Sequence, residues 1–71
     1  MLLHDAIPEV FRRSGNRPMH ADDVAAEVSR VGLYHRKDRQ PVPREQLVAR
    51  MTKERYSHLF ERTAPGHYRL A

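Results

Sequence analysis

Cysteine is missing altogether from this 71-residue chain, so neither a disulfide framework nor a cysteine-based zinc site can support it. Glycine occurs only three times, and Gly15, Gly32 and Gly66 cannot be assembled into a loop that cradles phosphates. Every apolar run is short, far below the roughly 18 residues of a membrane span. The opening MLLHDAIPEVF carries acids and a proline and lacks the basic region and long apolar stretch of a secretory signal. A cytoplasmic location is the expectation, with no membrane partner; association with the nucleoid in a bacterial cell would follow only if the chain binds DNA. The five histidines (His4, His20, His35, His58, His67) form no i,i+4 pair and no dense cluster, which argues against a metal site. Ser14, Ser29 and Ser57 lack any nucleophile-elbow context. No catalytic residue, metal ligand or cofactor is expected.

What is present suits one small domain. Apolar residues make up 39% and charged residues 31% of the chain, enough for a small core held by packing alone. The net charge of +4 is unevenly spread: residues 1–33 sum to −1, residues 34–55 to +4 and residues 56–71 to +1. The positive excess therefore sits mid-chain, on Arg36, Lys37, Arg39, Arg44, Arg50, Lys53 and Arg55. A basic patch beside an exposed helix face is an electrostatic footprint for nucleic acid. Ordinary surface variation would give the same count.

The stretch PREQLVARMTK, Pro43 to Lys53, organises the reading. Proline is favoured at the first helical position, where its missing N–H costs nothing. Advancing about 100° per residue puts Leu47, Val48 and Met51 on one face and Gln46, Ala49, Arg50 and Lys53 on the other. Arginine and glutamine can pair in bidentate fashion with guanine and adenine edges, and lysine can neutralise a phosphate. A solvated helix face has the same composition, and the local pattern leaves both readings open.

Around that stretch the chain divides cleanly. Ile7, Val10 and Phe11 mark an amphipathic helix within the segment from Leu3 to about Ser14, with Pro8 expected in its first turn behind an Asp5 cap or an irregular start just before it. Gly15 permits a left-handed exit. Asn16-Arg17-Pro18 form a connection and Met19 is an expected core residue. A second helix is predicted over Ala21–Val31, with Val24, Val28 and Val31 inward and His20 in the capping position as a poor cap. Residues 35–42 are polar, charged and proline-containing, and read as a loop. After the Pro43 helix, Pro65-Gly66 predicts a type II turn between Leu59–Thr63 and His67–Leu70. That gives a two-stranded hairpin with Phe60, Tyr68 and Leu70 on its core side.

Three helices followed by a hairpin, together with particular residues, resemble the HARE-HTH family of winged helix-turn-helix domains. The resemblance runs through Asp5-Ala6-Ile7 to Val10-Phe11, then Gly15-Asn16-Arg17-Pro18-Met19, Gly32-Leu33-Tyr34 and Pro43 to Met51. It ends with Phe60, Arg62, Gly66, Tyr68 and Leu70 in an F-x-R…G-x-Y-x-L pattern. Val42 departs from the threonine that commonly caps the third helix in that family. The resemblance implies an α+β, mostly α, fold: a three-helix winged helix-turn-helix with a C-terminal two-stranded β-hairpin wing.

It also implies an accessory module, joined to nucleases, helicases, chromatin factors or transcription proteins. Its expected role is to bind double-stranded DNA and target an attached enzyme or transcription factor, with transcription regulation as one setting. The candidate DNA-binding residues are Arg36, Lys37 and Arg39 on the loop, Arg44, Gln46, Arg50 and Lys53 on the helix, and Arg62, His67 and Arg69 on the wing. The alternative is a protein-interaction module resembling the N-terminal domain of the delta subunit of bacterial RNA polymerase. Its surface would be Asp22, Asp23 and Glu27 or exposed apolar residues of the hairpin. The initial Met and the end just after the hairpin set the expectation of an N-terminal module of a longer protein.

Overall fold

Each helix forms where apolar side chains recur on one flank, and the flanks meet. In the computed structural model, which describes all 71 residues, α1 spans Leu3–Arg13, α2 Ala21–Arg30 and α3 Arg44–Thr52. Helix α1 contributes Leu3, Ala6, Ile7, Val10 and Phe11 to the core, α2 contributes Ala21, Val24, Ala25 and Val28, and α3 contributes Leu47 and Met51. Val42 enters from the loop and Tyr68 from the sheet. The Phe11 ring, fully buried, meets Phe60 at a centroid distance of 6.1 Å, which seats the sheet on α1.

Pro8 departs from expectation. The helix begins at Leu3, so the proline lies in the second turn, inside the helix, and is buried. Asp5 is not the cap; Leu2 holds that position and its carbonyl accepts the N–H groups of Asp5 (3.0 Å) and Ala6 (2.9 Å). Starting early buries Leu3, at the cost of the bond that Pro8 cannot donate to the His4 carbonyl. The other end follows the sequence more closely. The Ser14 hydroxyl donates to the Phe11 carbonyl at 2.9 Å, and Gly15 leaves at φ +76°.

The sheet has a third strand that sequence periodicity did not reveal. Met19–His20 form β1, which pairs antiparallel with β3 (His67–Leu70), and β3 pairs in turn with β2 (Phe60–Ala64), giving the order β1-β3-β2. Beyond the end of β1, the Asn16 side chain stands in for a peptide group. Its Oδ1 accepts the Leu70 N–H at 2.7 Å and its Nδ2 donates to the Leu70 carbonyl at 3.2 Å. Asn16 does this from φ +56°, a left-handed conformation that asparagine tolerates better than most residues. The hairpin turns at Pro65-Gly66 as expected, with Gly66 at φ +75°, and there is a register shift between Arg62 and Ala64. A short 3-10 helix over Ser57–Leu59 precedes β2.

Helix α2 is capped by His20, the residue its sequence places there. The His20 Nδ1 accepts the Asp22 N–H at 3.1 Å, and the Ala21 N–H reaches the Gly66 carbonyl at 2.9 Å, so the start of α2 is tied to the wing turn. The helix ends at Arg30, with Val31 half-buried just beyond it.

Candidate nucleic-acid interface

The helix at the centre of the interface is one residue shorter at each end than its sequence suggests. Pro43 is the N-cap rather than the first helical residue, and its carbonyl accepts the Leu47 N–H at 3.1 Å. No side chain caps this end. Val42, where a capping threonine was to be expected, is buried, and its N–H points to the Ser29 hydroxyl oxygen at 3.5 Å. Core burial replaces the cap. At the far end Lys53 has left the helix, with φ −61° and ψ 133°. Leu47 and Met51 are sealed inward, Gln46, Val48 and Arg50 are alike half-buried, and Ala49 and Lys53 are exposed. The division of faces read from the helical spacing holds for Leu47, Met51, Ala49 and Lys53, whereas Val48, Gln46 and Arg50 all lie at the boundary.

The nominated cations differ in how free they are. Arg44 lies 3.6 Å from the Asp22 carboxylate and 3.8 Å from that of Glu45. Arg36 lies 3.3 Å from Asp38 within its own loop. Arg69 lies 3.4 Å from Glu61, its register partner across the hairpin. His67 points its Nδ1 at the Pro65 carbonyl, 3.0 Å away, and packs edge-on to His20 at 5.1 Å. Lys37, Arg39, Lys53 and Arg62 are exposed and have no carboxylate within ion-pair distance; Arg50 has none either. Exposed pairs of this kind are weak, but each keeps a negative charge beside its arginine in the free protein.

Asp22 joins two parts of the surface. Its Oδ2 lies 3.5 Å from the His20 ring and 3.6 Å from Arg44, so the N-terminal ends of α2 and α3 meet beside the wing turn. The loop cations are not drawn into this arrangement: no hydrogen bond or ion pair links Arg36, Lys37 or Arg39 to α3 or the wing. The structure thus connects Arg44 to the vicinity of His67, and leaves Lys37 and Arg39 on a separate, exposed loop.

Two residues outside the nominated set border the interface. Arg55 is exposed just past α3, and its place in the mid-chain basic run was the available signal. Tyr56 lies under the Arg50 guanidinium, whose carbon is 6.0 Å from the ring centroid. No sequence signal marked it, because the contact depends on how the chain turns after α3. The acidic flank of α2 is also partly engaged. Glu27 accepts two hydrogen bonds from Arg30, at 2.9 and 2.8 Å, and this holds its carboxyl below the ordinary carboxylate range.

The family model for the HARE-HTH domain, whose description names ASXL and restriction endonuclease helix-turn-helix domains, matches residues 1–71, the whole chain. The chain belongs to the HARE-HTH family. HARE-HTH is a helix-turn-helix domain of the DNA-binding type, and the three helices with a three-stranded antiparallel sheet are consistent with a winged helix. No curated protein and no solved structure matches the chain significantly. In this HARE-HTH domain the two-stranded hairpin of β2 and β3 forms as expected, and β1 adds a third strand to its sheet. No helix is long and apolar enough to cross a membrane.

Proposed function

We propose that this HARE-HTH domain is a non-catalytic module that binds double-stranded DNA, with α3 entering the major groove. Gln46 and Arg50 face base edges, Lys53 and Arg44 flank them at the backbone, and Lys37, Arg39 and Arg62 reach phosphates from the loop and the wing. The wing's His67 and Arg69 lie close to the same backbone. In this role the domain positions an attached enzyme or transcription factor on the duplex. The observation that carries the reading is the split of α3: Leu47 and Met51 are buried, while Gln46, Arg50 and Lys53 remain accessible and none of them is paired with an acid.

The test is a fluorescence-anisotropy titration of a short DNA duplex at low salt. Saturable binding is expected, and it should weaken on combining Arg50→Ala with Lys53→Ala while the thermal unfolding midpoint hardly moves. Absence of a saturable change refutes the reading. A protein partner is the second reading, and one observation favours it. Met1, Leu2 and Leu59 are exposed, and Met1 and Leu59 line one shallow hollow of about 460 Å³ with Tyr56 and Pro8. This patch is formed by α1 and the segment ahead of β2, while Phe60 and Leu70 of the hairpin pack on the core. A partner whose affinity survives the Arg50 and Lys53 substitutions would favour it.

A further inference from the structure

We infer that Tyr56, backed by His4, is a positioning residue that pre-orders Arg50 for base contact; this rests on the duplex-binding reading above. The turn after α3 makes the arrangement. The Lys53 carbonyl accepts the N–H groups of both Tyr56 and Ser57 at 2.8 Å, which folds the chain back and sets the Tyr56 ring beside α3. The Arg50 guanidinium then lies over that ring at 6.0 Å, the outer limit of a cation–π contact. Tyr56 is itself fixed, because the His4 ring stacks on it at 4.7 Å with the planes 10° apart. His4 belongs to the first turn of α1, next to the buried Leu3. Its Nδ1 is buried and makes no hydrogen bond, and its Nε2 lies 3.7 Å from the Asp5 carboxylate, so that contact and the stack on Tyr56 hold the ring.

The consequence is a continuous line of contacts from α1 through His4 and Tyr56 to one side chain of α3. Arg50 has no carboxylate partner to compete for it. A long side chain that must be ordered on binding loses affinity in proportion to the fraction of time it spends out of the competent pose. Tyr56 raises the competent fraction without meeting DNA itself. A planar guanidinium profits from an aromatic ring more than an ammonium does, which also gives arginine an advantage over lysine at this position.

The experiment has two arms on the 71-residue chain. In the free protein, ¹⁵N relaxation of the Arg50 Nε–Hε pair is compared with that of exposed Arg17. Arg50 is expected to be the more ordered, and equal mobility overturns the inference whatever the variants do. In the second arm a short DNA duplex is titrated with wild type, Arg50→Ala, Tyr56→Leu and Tyr56→Phe. Tyr56→Leu is expected to weaken binding about two- to fivefold, the scale of one exposed cation–π contact, with the salt dependence unchanged. Tyr56→Phe keeps the ring and is expected to bind as wild type does. If Arg50→Ala weakens binding and Tyr56→Leu does not, the positioning role falls and the DNA reading stands. If Arg50→Ala has no effect, the proposed contact of Arg50 with DNA falls, and the inference with it.

Discussion

The salt dependence of duplex binding separates free cations from paired ones. Counterions are released where a cation brings net positive charge to a phosphate, and an arginine with a carboxylate beside it brings less. Arg36, Arg44 and Arg69 each sit within 3.3–3.6 Å of an acid. Lys37, Arg39, Lys53 and Arg62 do not, and Arg50 is assigned to a base edge. Four phosphate contacts give a slope of log K against log[salt] of about −3.6, so affinity drops about 150-fold between 50 and 200 mM salt. Were the three paired arginines to count as well, the slope would be about −6.3. Lys53→Ala should flatten the slope by about 0.9, whereas Arg50→Ala should lower affinity and base discrimination with little change in slope. Anisotropy titrations at five or six salt concentrations read this directly. A slope near −6, or an unchanged slope in Lys53→Ala, would refute the division into free and paired charges.

Three further predictions rest on other contacts. Asp22→Asn combined with Glu45→Gln removes both carboxylates beside Arg44, so it should tighten duplex binding and steepen the slope by about 0.9, visible in the same titrations. Asn16→Ala removes both hydrogen bonds to Leu70 and places alanine at φ +56°; urea unfolding should show a loss of about 2–4 kcal/mol, and under about 0.5 would contradict the structural role. Because Arg30 holds the Glu27 carboxyl below its ordinary value of 4.5, the pair adds stability above that value and loses it as pH falls through the lowered one. An NMR titration should place the Glu27 midpoint below 4.5, and Arg30→Gln should move it upward.

The frame of this domain was largely written in local patterns. Ile7, Val10 and Phe11 in α1, Val24 and Val28 in α2, and Leu47 and Met51 in α3 all fall on the buried side that their spacing assigns. A repeat of 3.6 residues reports the backbone geometry that produces it, so this much can be read without knowing any neighbour. Pro65-Gly66 worked in the same way, through the φ values that the two residues favour. Pro8 misled because a local penalty, one missing hydrogen bond, was outweighed by burying Leu3 against elements elsewhere in the chain.

By itself the sequence determined where helices and hairpin form, that the positive charge concentrates between residues 34 and 55, and that Gln46 and Lys53 lie off the apolar face. Tertiary structure decided which of those charges are free. Asp22 and Arg44 are far apart in the chain and become partners only when α2 and α3 pack. Met19 and His20 have no strand pattern of their own and become β1 because the edge of β3 is beside them. His4, Tyr56 and Arg50 meet for the same reason: one is carried by α1, one by a turn and one by α3. Periodicity is a property of a few consecutive residues, whereas pairing depends on which distant segments the core brings together.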